Sequence, residues 1–365
     1  MYTLGEIISE LNLLAPAYLA EKWDNIGLLV GSRQQAVSKV LCALDINLQV
    51  VEEAIEKKVD CIITHHPFIF KPIARIDFDT PKGNVLKLLI QNNISVYSMH
   101  TNWDIAAGGI NDLLGDAFGL ENTKPIEMTY IEHVYKLAIY VPKENVEAIR
   151  EVLIAHNPCE IGHYKGCTFA EKGTGSFVPL EGSKPYIGED NQLELLEEVK
   201  IECIVYLRDV DNLMKQVSMI HPYEEIAYDL YPLENLKTYQ GIGRYGQIEP
   251  ILIEELVAKA KKIFGIPCIR LVGHSEKLIT RLSICSGSGS EYIGKAASLS
   301  EVYITADVKF HEAQVAIEQG LVILDVGHYA SENIAMPFMK KFLQEKFMTL
   351  EIDCSEVNGE VFQTI

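Results

Sequence analysis

The sequence predicts an α/β protein: a larger α/β unit drawn from both ends of the chain, with a smaller α+β domain set between its halves. Three observations predict it. Amphipathic helical stretches alternate with short apolar, strand-like runs up to about residue 120. From about Tyr130 the texture changes to a strand, turn and helix followed by a second such set, and the helix and strand alternation then resumes to the carboxyl end.

Taken in order, EIISELNLLAP reads as an amphipathic helix, KVLCALDI as a buried strand, LQVVEEAIEKK as a helix and CIIT as a short strand. NVLKLLIQNN, ISVYSMH and GGINDLLGDAFGL continue as helix, strand and helix, the two leading glycines of the last permitting a tight turn. HVYKLAIYVPKENVEAIREVLIAH, KIECIVYLR, DNLMKQVSMIHP and EIAYDLYPLE then make a βαβ…βαβ arrangement suited to a ferredoxin-like sandwich. ENLKTYQGIGRYG is expected to be the returning linker. Beyond it IEELVAKAKKIFG is a helix, IRLVG and ITRLSICSG strands, EYIGKAASL a helix, VYITAD a strand, EAQVAIEQG a helix, LVILDVG a strand and NIAMPFMKKFLQEKF a last helix. The expected boundaries are 1–126 for the first half of the core, 127–233 for the insert and 234–365 for the second half.

Composition agrees with that plan. The 365 residues exceed the roughly 100–200 of one compact domain, and 48% apolar with 23% charged residues is a globular profile. No apolar run approaches the roughly 20 residues that span a bilayer, and MYTLGEIISELNLL carries acids where a signal peptide would be basic. A cytoplasmic protein, neither membrane-embedded nor exported, is expected. The eight scattered cysteines form no CxxC pair and read as reduced thiols. A formal charge of -19 disfavours nucleic acid as a partner.

The chemistry-bearing residues stand where strands end. His65 and His66 close the strand CIIT, at the carboxyl edge where open α/β sheets bind ligands. Adjacent strand residues point to opposite sides, so the two imidazoles could hold different metal ions or reach one cleft from a bent strand end. Asp104 follows ISVYSMH, either as a hard metal ligand or as a helix cap. His100 beside it is read as a core residue or a support for the ligands rather than a ligand. His328 and Glu332 follow LVILDV at i, i+4 spacing, on one helical face. Three His/acid groups at three strand ends favour a shared site, and three imidazoles with two carboxylates suffice for two divalent ions if Glu332 bridges them.

The segments EKWDNIGLLVG, THHP, HTNWDIAAGGIND and DVGHYASE together resemble the dinuclear-metal proteins known as GTP cyclohydrolase 1 type 2 homologues, the Nif-three-like family. The resemblance runs the length of the chain. It implies that His65, His66, Asp104, His328 and Glu332 bind two metal ions, that the core consists of two similar α/β lobes with the metal site between them, and that the chains assemble as a toroidal homohexamer. It also implies that the insert is similar to the PII and CutA proteins, with HPYEEIAYDLYPLE at its end. Zinc, iron and manganese all suit such a ligand set.

Around this set several residues have two readings. Asp24, Asp45, Asp307 and His311 are candidates for orienting a ligand, binding substrate or moving a proton, or else for turn and cap roles. Gly287 and Gly289 lie between a strand and a helix, where free N–H groups could hold an anionic substrate or simply make a tight turn. Lys71 and Arg75 follow the His pair as charges for an anion or as solvated surface. Gly241, Gly243 and Gly246 spell GxGxxG, but the strand and helix that a dinucleotide fingerprint needs are missing around them. The expected function is metal-dependent hydrolysis of a small phosphorylated or nucleotide-like substrate. The alternative is a non-catalytic metal-binding ring with a regulatory or scaffold role.

Overall fold

The computed structural model describes residues 1–157 and 159–363. The chain forms two compact units, one built from Met1–Tyr130 with Gln240–Ile365 and one from Ile131–Tyr239, boundaries a few residues further along than the sequence texture suggested. Both ends of the chain therefore make one unit.

That unit holds two mixed sheets. In the five-stranded sheet the order is Glu351–Cys354, Lys39–Ala43, Cys61–Thr64, Ser95–Ser98 and Gly27–Val30; the first four are parallel and the last antiparallel. In the six-stranded sheet the parallel centre is Ile279–Ser288, Val302–Ala306 and Val322–Asp325, flanked by antiparallel Arg270–Val272 on one side and Arg244–Ile251 with Glu121–Lys124 on the other. One apolar cluster joins them. It takes Cys42, Ile63 and Tyr97 from the first sheet and Leu282, Ile304 and Leu324 from the second, with the buried stripes of the helices Leu4–Leu14, Ile110–Phe118, Ile253–Phe264 and Ala335–Lys346 between. Each fully buried leucine or isoleucine there contributes about 1.5–3 kcal/mol of transfer free energy. The helix Leu4–Leu14 starts with a capping box: Thr3 Oγ1 accepts from the Glu6 N–H, and the Thr3 N–H donates to Glu6 Oε2.

The second unit is a four-stranded antiparallel sheet ordered Thr168–Phe177, Glu194–Tyr206, Val134–Pro142, Tyr228–Pro232. The helices Val146–His156 and Val210–Ser218 pack on one face of it through Val146, Ile149, Leu153, Val210, Leu213 and Val217. In chain order this is βαββαβ, the split arrangement of a ferredoxin-like fold. Its strand Thr168–Phe177 escapes the sequence reading because TFAEKGTGSF has two glycines and no apolar alternation; ten backbone pairings with Glu194–Tyr206 hold it instead.

The stretch expected to be a plain linker is structured. Residues Thr238–Ile242 and Arg244–Ile251 are strands, and buried Arg244 donates to both Asp112 carboxylate oxygens and to the carbonyls of Gly241, Gly243, Ile105 and Ala106. Such an anchor is invisible to periodicity, since it depends on partners far away in the sequence. The GxGxxG glycines serve close backbone approach: a Cβ at Gly241 would fall 1.8 Å from the Glu127 carbonyl oxygen, and one at Gly246 2.5 Å from that of Glu121. Among the described residues no helix is long and apolar enough to cross a membrane.

Candidate metal centre

The carboxyl ends of the parallel strands supply the site. Cys61–Thr64 runs straight into His65 and His66, and Ser95–Ser98 leads to the short helix Thr101–Ile105, which carries Asp104 in its interior rather than as a cap. In the other sheet Val322–Asp325 leads to the helix His328–Asn333 with Glu332 one turn on. Glu332 is buried among the imidazoles: Oε1 lies 3.7 Å from His65 Nε2, and Oε2 lies 3.1 Å from His66 Nε2 and 3.2 Å from His328 Nε2. Asp104 Oδ2 stands 3.7 Å from His65 Nε2. All five residues come together.

Each ring is tied by Nδ1. His65 donates to the Met99 carbonyl at 2.9 Å, His66 to Asp45 at 2.8 Å, His100 to Asp24 at 2.9 Å and His328 to Asp307 at 2.7 Å. In the neutral ring this leaves Nε2 as a bare lone pair aimed inward. The Nε2 atoms of His66 and His328 are only 3.4 Å apart, and two lone pairs at that distance repel unless a cation lies near both. With the rings neutral, buried His65 Nε2 and Glu332 Oε2 have no hydrogen-bond partner, since the groups around them also accept. A convergence of acceptors with no donor is what a metal ion satisfies.

In the metal-free protein protons take that place. Burial opposes a charge on His66, but Asp45 and Glu332 outweigh it and push the imidazole up to about 10. Glu332, helped by Asp307, outweighs burial at His328 and raises it to about 9. His65 is raised too, the pull of Asp104 and Glu332 exceeding its burial. Burial lifts Asp104 against the pull of His65, whereas Glu332 is held well below the usual carboxylate range because His65, His328 and His66 outweigh its burial.

Residues 2–360 match the sequence profile of Duf34/NIF3 (NGG1p interacting factor 3). The chain belongs to that family. A GTP cyclohydrolase 1 type 2 homolog of Halalkalibacterium halodurans is 37% identical over 356 residues, covering 96% of each chain, and that of Bacillus subtilis is 38% identical over 330 residues, covering 90% of this chain and 88% of the relative. The crystal structure of a Bacillus cereus protein related to NIF3 matches with a TM-score of 0.86 and 35% identity, over 100% of this chain and 99% of that one.

In this NIF3-family chain His100, expected in a supporting role, lies close to the candidate ligands. Donor atoms of His65, His66 and His100 lie within 4.8 Å of one another, as do those of His66, His328 and Glu332, so two overlapping groups share His66. Asp24, Asp45 and Asp307 each fix one ring, as above. Asp24 also accepts from the Thr101 N–H and hydroxyl at 3.1 and 2.5 Å. Asp307 pays backbone strain for its position, with φ of +58°. His311 instead binds Gln314 on an exposed helix surface, and Lys71 and Arg75 are exposed in the loop after the His pair.

The glycine reading needs correction. The Gly287 N–H donates to Ser331 Oγ and the Gly289 N–H to Thr305 Oγ1, both buried, so neither is free to cradle an anion. The role of Gly287 is spatial: its φ is +56°, and a Cβ there would sit 2.1 Å from Glu332 Oε1 and 3.3 Å from His328 Nε2. Three contributors escaped the sequence reading. Ser286 Oγ donates to Asp104 Oδ1 at 2.8 Å, and the exposed rings of Trp23 and Phe70, 5.9 Å apart, stand 6.0 and 6.5 Å from the His100 ring. The only sequence signal for the rings was an aromatic residue beside each motif, in EKWDN and HHPFIF.

Proposed function

We propose that this chain holds two divalent ions through His65, His66, Asp104, His328 and Glu332, with His100 beside them, and hydrolyses a small phosphorylated or nucleotide-like substrate. The observation that carries the reading is the cluster of inward, donor-free Nε2 and carboxylate atoms at a shared sheet edge. Two bound divalent ions would act as Lewis acids and make water ionisable near neutral pH. The chain's own part is to hold the imidazoles in one tautomer through the Met99 carbonyl, Asp45, Asp24 and Asp307, and to place a planar aromatic face, Trp23 with Phe70, beside the donors. That face favours a nucleobase over a simple alkyl phosphate. Assembly as a homohexamer rests on family resemblance and is measured by sedimentation.

The test is elemental analysis of purified wild type and His65→Ala, with hydrolysis of GTP and simple phosphoesters assayed on the same samples. About two metals per chain, with metal and activity lost together in the variant, is the expected result. Metal without measurable hydrolysis in the wild type sinks the enzyme reading. Trp23→Ala is expected to raise KM for GTP about tenfold, the worth of one stacking contact, while leaving that for an alkyl phosphate unchanged.

A further inference from the structure

The middle unit contains a cavity of about 900 Å³ that has no part in the metal centre. Its position follows from strand alternation. On Glu194–Tyr206 the residues Val199, Ile201, Cys203 and Val205 are buried toward the two helices, so Glu198 and Lys200 stand on the opposite face, which neither helix covers. Val178, Pro179, Leu180 and Tyr186, with Tyr223 and Glu224 from the HPYEE segment, line the cavity over that face. The neighbouring strand contributes a floor without side chains: Gly173 pairs with Glu198, and Gly175 with Leu196. A Cβ at Gly175 would lie 2.0 Å from Glu198 Oε2, while one at Gly173 would meet nothing within 4 Å.

The lining selects a kind of ligand. Tyr140, Phe177, Tyr186 and Tyr223 give it aromatic walls, with the rings of Tyr186 and Tyr223 6.2 Å apart. Glu171, Glu198, Glu224 and Glu225 outnumber Lys172 and Lys200, and Lys200 is already matched by Glu202 at 3.0 Å and Glu171 at 3.6 Å. Glu198 uses Oε1 to accept from the Tyr223 hydroxyl at 2.8 Å. An anion would meet excess negative charge, and a neutral apolar molecule would desolvate Glu198 with no countercharge. No group of donor atoms close enough to hold one metal ion occurs here among the described residues. We propose that this cavity binds a small organic cation, an ammonium, amidinium or guanidinium group on an apolar or aromatic body, held by Glu198 and by cation–π contact with Tyr186 and Tyr223.

The experiment is calorimetric titration of the full-length protein with p-aminobenzamidine, a planar amidinium, beside the neutral and nearly isosteric p-aminobenzamide. One amidine per chain is expected, with the amide at least tenfold weaker. Glu198→Gln should weaken the amidine at least tenfold. Gly173→Leu, which fills the cavity from an open position, should abolish binding, and both variants should keep the wild-type metal content and melting behaviour. Absence of amidine binding, equal affinity for the two probes, or binding that survives both substitutions in folded protein overturns the assignment.

Discussion

The two sheet edges that meet at the candidate metal centre supply it differently. The five-stranded sheet gives His65, His66, His100 and Asp104, whereas the six-stranded sheet gives His328, Glu332 and the packing around them, Gly287 and Ser286. On the first edge the most buried ring, His65, is tied to a backbone carbonyl; on the second, His328 is tied to the carboxylate of a strained residue. A carbonyl fixes a tautomer without adding charge, while a carboxylate fixes it and raises the basicity of the ring as well. The first edge therefore combines one charge-free tether, on His65, with carboxylate tethers on His66 and His100, whereas His328 on the second edge has a carboxylate tether alone.

The sharpest way to break the comparison is to remove the group both edges share. Glu332→Ala should empty both metal positions, since His65, His66 and His328 all stand against that carboxylate. In metal-free protein near pH 6 it should also cost about 3–5 kcal/mol, the scale for breaking a buried ion pair. Elemental analysis and urea melts measure the two effects. One position left fully loaded would mean that Glu332 does not bridge.

Next in size is pH. His66 and His328, raised to about 10 and about 9 in metal-free protein, hold protons that the unfolded chain, with imidazoles near 6.5, releases earlier. Their contribution to metal-free stability is thus complete below about pH 6.5 and is lost as pH rises through 9 to 10. Metal must displace the same protons, so metal affinity should rise over that window. Denaturant midpoints of chelator-treated protein from pH 6 to 10 check this, and a flat profile contradicts it.

Gly287→Ala tests whether the second edge tolerates any intrusion. The added Cβ collides with Glu332 Oε1 from a left-handed backbone position, and a loss of about 1–3 kcal/mol with reduced metal content is expected. Wild-type metal content in this variant would show that the glycine is only a turn residue.

What could be read in the sequence divides along the same physical line. Strands and helices with clear periodicity, such as CIIT and IEELVAKAKKIFG, recur as Cys61–Thr64 and Ile253–Phe264. The five proposed ligands stand at strand ends because parallel sheets present ligands there, a rule that needs no structure. Tethers were harder to see, because the link of Asp24 to His100 spans 76 positions and that of Ser286 to Asp104 spans 182. Gly287 illustrates the limit well: its residue type pointed to a free N–H, but only the packing of Ser331 and Glu332 around it reveals a bonded N–H and a space that must stay empty.

The smallest expected effect sharpens the comparison most, because it isolates the tether charge on each edge. Asn keeps the acceptor oxygen that fixes the tautomer, tolerates left-handed backbone, and removes only the charge. Asp307→Asn and Asp45→Asn should each weaken metal binding by about 10–100-fold, the usual cost of altering a group that orients a ligand histidine. Asp307 is the better target of the two for strain, since its φ of +58° is acceptable to Asn, while any further loss in Asp307→Ala combines the lost acceptor for His328 with the backbone penalty. Asp45 and Asp307 are exposed to nearly the same extent, 46% and 43%, so solvent screens both charges and both variants should fall toward the weak end of the range. Competition titration with a chromophoric chelator gives both affinities. If Asp45→Asn proves the more damaging, the stronger tuning belongs to the edge that carries the His pair; if Asp307→Asn does, it belongs to the six-stranded edge.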